Sequence, residues 1–138
     1  MKRVRLNADF AGDERSCACE GVIDRSVLNS LALAQTPGMP DLIVELIDLY
    51  LDDAPLRLAA IKTALDSRDD NGLRNSAHAL RGSSSTLGAR VIALRCGQLE
   101  KSNPLDGAGV RALFEILQHE FTHVRTAMLS ERKKRVNT

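Results

Sequence analysis

Arg74, His78, Arg81, Gly82 and Ser85 recur at spacings of three, four and seven residues, so on a helix they share one side. An imidazole, whose ordinary pKa is about 6.5, keeps a nitrogen lone pair for most of the time near neutral pH and can attack phosphorus. Flanking arginines offer donors and positive charge to phosphoryl oxygens. Gly82 leaves the space beside the ring open at a cost of about 1 kcal/mol in helix propensity. The group therefore suits a phosphoryl-accepting histidine. A plain reading stands beside this one: a histidine on a helix is ordinarily a surface residue. Gly82 with Ser83, Ser84 and Ser85 also suits close approach of a neighbouring helix, and Arg74 and Arg81 suit solvated charge. The residues alone leave both readings open.

The elements that must position this group are helical. Leu and Ala are abundant, Trp is absent, and the aromatics are one Tyr and three Phe. Asp24 caps a short helix with Val27, Leu28 and Leu31 on one face, ending near Thr36-Pro37-Gly38. Leu42, Ile43, Leu46, Ile47, Leu49 and Tyr50 form a broad apolar face that Asp52-Asp53-Ala54-Pro55 breaks or kinks, and Leu58, Ile61 and Leu65 resume it. A helix from near Asp70 carries the stripe Leu73, Ala77, Leu80, Ser84 and Leu87, with His78 one residue off it. Ile92, Cys96 and Leu99 mark a further helix that stops at Asn103-Pro104. Val110, Leu113, Leu117, Phe121, Val124 and Met128 mark the last. The expected fold is all-α: an antiparallel four-helix bundle with a short additional N-terminal helix. Residues 1–22 read as a flexible leader, 23–130 as the bundle and 131–138 as a basic flexible tail.

A chain of 138 residues and net charge +1 suits a single domain. Residues 21–124 hold ten Lys or Arg against thirteen Asp or Glu, whereas 125–138 hold five against one. Between Asp70 and Glu100 stand Arg74, Arg81, Arg90 and Arg95 with no acidic residue, a stretch expected to attract anions. The absence of a signal peptide or a long apolar run predicts a soluble, cytoplasmic protein that contacts neither membrane nor nucleic acid. Three cysteines give no disulfide framework, and Cys96 is expected in the core. No Gly-rich phosphate loop is present, so the chain should not phosphorylate itself from ATP.

The run His78-Ala79-Leu80-Arg81-Gly82-Ser83-Ser84-Ser85-Thr86-Leu87-Gly88-Ala89 resembles the signature of histidine-containing phosphotransfer (HPt) domains, H-x-L-K-G-S-S followed by G-A or G-L. ELIDLYLDDAP before it and RVIALRCGQLEK after it also look like that family, so the resemblance spans roughly residues 24–125. It implies that His78 is phosphorylated and that Gly82 and Ser83 keep its surroundings small. Arg81 stands where the family usually has Lys, which retains charge with a different hydrogen-bonding shape. The resemblance further implies a response-regulator receiver domain and a hybrid sensor histidine kinase as partners. No intrinsic cofactor is expected, Mg²⁺ being brought by the receiver, because nothing near His78 in the sequence supplies the carboxylates that hold it. Arg74, Ser83, Ser85 and Arg90 would surround the phosphoryl group or join Ala79 and Thr86 in docking. The chain should act as a monomer.

Two rival readings differ in class. One is a helical adaptor or inhibitor that binds a kinase or receiver without being phosphorylated, against which the retention of His78 argues. The other is a metal-binding protein using Cys17, Cys19, His119 and His123. The two histidines share a helix face, but a CxC in a leader offers them no assured partner, so no metal site is expected.

Overall fold

The computed structural model describes residues 22–102 and 107–136, and the leader up to residue 21 lies outside the described residues. Five helices and no strand are found among the described residues: α1 Arg25–Leu33, α2 Leu42–Ser67, α3 Asp70–Thr86, α4 Arg90–Glu100 and α5 Ala108–Val136. Each of the first three starts at an aspartate whose carboxylate accepts from the exposed first-turn amides: Asp24 from Ser26, Asp41 from Ile43 and Val44, and Asp69 from Gly72. The α1–α2 turn is stapled by Gln35. Its amide nitrogen donates to the carbonyls of Thr36, Met39 and Pro40, and its Oε1 accepts from the Leu42 amide.

α2 packs on α3, α3 on α4, α4 on α5 and α5 back on α2, closing a four-helix ring, while α1 leans on α2. Connections this short between packed neighbours make them antiparallel. The core is the expected stripes brought together: Ile43, Ile47, Leu58 and Ile61 of α2; Leu73, Ala77 and Leu80 of α3; Ile92, Cys96 and Leu99 of α4; Leu117, Val124 and Met128 of α5. Inside it the Tyr50 hydroxyl and Ser84 Oγ lie 2.8 Å apart, so each buried hydroxyl is satisfied by the other. Burial pushes the Tyr50 hydroxyl well above its usual range, keeping it protonated.

Three expectations about the helices change. α2 runs unbroken through Pro55, because apolar residues before it (Ile47, Tyr50, Ala54) and after it (Leu58, Ile61, Leu65) lie on one buried stripe whose packing outweighs one lost amide. Leu49 leaves the core and is 66% exposed, so the apolar face of α2 is narrower than its composition suggests. At the chain's other end, the segment from residue 131 expected as a flexible tail is helical to Val136. Buried Glu131 accepts from Arg25 of α1 (2.6 Å) and from Arg135 (2.8 Å), and Arg132 reaches Asp48 of α2 at 2.6 Å. No helix among the described residues is long and apolar enough to cross a membrane.

Candidate functional site

His78 stands on the outer side of α3, opposite the buried stripe, with 69% of its side chain exposed. α4 runs beside it, and the Arg81 side chain lies along the seam between the two helices, next to Gly97. At the end of α4, Glu100 folds over that seam. Its Oε2 lies 3.2 Å from His78 Nδ1, and its Oε1 lies 2.9 Å from Arg81 Nε. The second approach is a charge contact without hydrogen-bond alignment, so Oε1 is buried with no donor among the described residues. Arg81 Nη2 also approaches His78 Nδ1, at 3.2 Å.

His78 Nδ1 thus has two neighbours with opposite demands. When protonated it donates to Glu100, and the lone pair of the neutral ring sits on Nε2. When bare it accepts from Arg81, and the proton sits on Nε2. The carboxylate favours the first arrangement, since a hydrogen bond to an ionised acceptor is the stronger kind. Nε2 makes no hydrogen bond among the described residues, on a side chain that is mostly exposed, and so offers a free nucleophilic nitrogen.

Gly82 is open to solvent, and a Cβ there would meet nothing within 4 Å. Packing of a neighbouring helix therefore does not require this glycine. Ser83 and Thr86 turn their hydroxyls back to the carbonyls of Leu80 and Gly82, and Ser84 alone of the serine run is buried.

The remaining expected residues scatter. Arg74 is ion-paired with Asp70 one turn back and makes no hydrogen bond to His78. Arg90 pairs with Asp24 at 3.1 Å and, with Arg81 and Ser85, lines an open hollow between α1, α3 and α4. Thr86 faces another hollow between α2 and α3, walled by Leu46, Leu49 and Arg57. Ala79 lies half-buried on α3. The stretch free of acidic residues does not give an unpaired basic surface: Arg74, Arg81, Arg90 and Arg95 meet Asp70, Glu100, Asp24 and Glu120 respectively. Folding supplies from other turns and helices the carboxylates that the linear stretch lacks.

Glu100 is the site residue that sequence reasoning missed, a carboxylate that packing of α4 against α3 brings to His78. Its signal was faint: a glutamate one residue past Leu99 at the end of an apolar helix, with nothing to say that this turn lies beside His78. Cys96, one turn earlier and fully buried, has its thiol pushed up to about 12 by burial and then by the Glu100 charge, so it remains protonated. Among the described residues no three His, Cys, Asp or Glu converge as metal ligands.

Comparison with known proteins places the chain in a family. The Hpt domain family model matches residues 45–127. A histidine-containing phosphotransfer protein B from Pseudomonas aeruginosa PAO1 has a crystal structure similar to this one, with a TM-score of 0.72 and 34% identity over 82% of this chain and 96% of that one. The maize histidine-containing phosphotransfer protein ZmHP2 shares the fold, with a TM-score of 0.68 and 24% identity over 83% of this chain and 92% of that one. Histidine-containing phosphotransfer protein 5 of Arabidopsis thaliana is 29% identical over 80 residues, covering 56% of this chain. The match spans half the length of that curated relative.

Proposed function

Because the chain belongs to the Hpt domain family and so serves in histidine phosphotransfer, we propose that His78 is the residue that carries the phosphoryl group, through Nε2. The observation that supports this most is the pairing of Glu100 with Nδ1, which leaves the exposed Nε2 as the bare nitrogen. Members of the family are phosphocarriers rather than kinases, and this chain takes its phosphoryl group from another protein without using ATP itself.

The donor is an aspartyl phosphate on a response-regulator receiver domain, itself supplied by a hybrid sensor histidine kinase. The Nε2 lone pair attacks phosphorus, an N–P bond forms as the P–O bond to the aspartate breaks, and the aspartate leaves as its carboxylate. The imidazole keeps its proton on Nδ1, where Glu100 offsets the positive charge that develops on the ring. Arg81, already at the ring, turns its guanidinium from Glu100 to the phosphoryl oxygens. The reverse sequence delivers the group to a second receiver. Glu100, the one carboxylate at His78 among the described residues, is engaged by the ring and by Arg81, and the Mg²⁺ of the reaction comes with the receiver. The receiver seats on α3 with Gly82 beneath it and the hollows carrying Thr86 and Ser85 on either side, this protein acting as a monomer.

The test is transfer of labelled phosphate from a panel of phosphorylated receivers to the protein and to His78→Gln. Label on the unsubstituted protein alone, lost in acid and kept in base, supports the assignment. Label on both moves the site elsewhere. Label on neither overturns the carrier reading in favour of an adaptor that only binds.

A further inference from the structure

The other two histidines of the chain, His119 and His123, are exposed one turn apart on α5, with Nε2 atoms 3.4 Å apart and ring planes at 84°. The contact is a long hydrogen bond whose donor depends on which ring carries the proton. It is also the spacing of two ligands on one ion, since nitrogens each about 2.0–2.1 Å from a tetrahedral zinc lie about 3.4 Å from each other. The backbone beneath them is held in place: Leu117, Phe121 and Val124 bury the opposite side of α5. The nearest carboxylate in sequence, Glu120, gives both oxygens to Arg95, at 2.9 and 3.2 Å, and does not compete for the imidazoles.

We propose that His119 and His123 form a surface chelate for a divalent cation of the zinc class. Helical histidines at i and i+4 are a recurring zinc-ligand pair, and borderline-soft cations suit imidazole. With no third protein ligand converging among the described residues, the remaining positions are open to water or to a group from another molecule, so the ion exchanges freely and holds no fold together. The cysteines of the leader are not needed, and neither is phosphotransfer at His78.

Calorimetric titration of Zn²⁺, with Co²⁺ as a spectroscopic probe, into the metal-free full chain tests this. One equivalent should bind, in the unsubstituted protein, in His78→Gln and in the doubly substituted Cys17→Ser/Cys19→Ser chain alike. His119→Ala or His123→Ala should each weaken binding about tenfold or more. Both residues are exposed, and circular dichroism establishes that the variants keep the fold. Absence of binding, binding that survives loss of both histidines, or binding lost with the two leader cysteines would each overturn the site.

Discussion

Glu100 Oε2 sits 3.2 Å from His78 Nδ1, joining residues 22 positions apart in sequence through the packing of α3 against α4. If this contact selects the tautomer, its loss should be visible before any phosphate moves. In Glu100→Ala, nitrogen-detected NMR of His78 should show protonation shifting from Nδ1 towards Nε2, and phosphoryl transfer should slow about tenfold, the equivalent of about 1.4 kcal/mol in the barrier. Glu100→Gln, whose carbonyl oxygen still accepts from Nδ1–H, should stay within about threefold of the unsubstituted rate. An unchanged tautomer in Glu100→Ala would remove the positioning role.

Arg81 touches both members of that pair and should separate charge from shape. Arg81→Ala should slow transfer by about tenfold to a hundredfold, since a charge-assisted bond to a phosphoryl oxygen is worth about 1.5–3 kcal/mol. Arg81→Lys, which restores the residue usual in the family, should recover most of the rate. Single-turnover kinetics with one phosphorylated receiver make the comparison, and equal rates for Arg81→Ala and the unsubstituted protein would count against any phosphoryl contact.

How far the sequence reaches is clear from these two residues. Arg81 was legible because it belongs to the helix of His78, where spacing alone fixes the face. Glu100 was not, because its place depends on the rotation of α4 against α3. The core stripes of α3 and α4 were readable for the same local reason, and Leu49 was misplaced because a helix face has no edge until a neighbour covers part of it. Arg74 pairs locally with Asp70 one turn back, but the pairings of Arg81, Arg90 and Arg95 are likewise tertiary: Asp24 of the α1 cap and Glu120 of α5 lie far away along the chain.

Two glycines of the signature should respond oppositely to alanine. Gly88 holds φ +80°, and a Cβ there would meet the Asp24 carbonyl oxygen at 2.9 Å, on the segment whose amide donates to Gly88. Gly88→Ala should cost about 1–3 kcal/mol in chemical denaturation through backbone strain and displacement of α1. Gly82→Ala meets nothing and should be neutral or stabilising by up to about 1 kcal/mol. The same Gly82→Ala protein should transfer phosphate more slowly if the receiver uses the open surface beside His78, so stability and rate move in opposite directions. A parallel fall in both would mean that Gly82 serves the fold.

Glu131 should make stability depend on acid. Burial raises its pKa, but hydrogen bonds from Arg25 and Arg135, with their charges, outweigh that and hold the carboxyl below its ordinary 4.5. A group depressed in the folded state binds more protons when unfolded. Its contribution is therefore present above pH 4.5 and is lost as pH falls through the lower folded-state value. Asp24, depressed mainly by the Ser26 hydrogen bonds, acts in the same direction but lies at the surface, only partly covered, and contributes less. Thermal melts of the unsubstituted protein and Glu131→Gln should differ by roughly 2–5 °C near pH 7, a modest gap because Arg25 is half in solvent, and should converge towards pH 3. A gap that stays constant with pH would show that Glu131 stabilises α1 against α5 by packing alone.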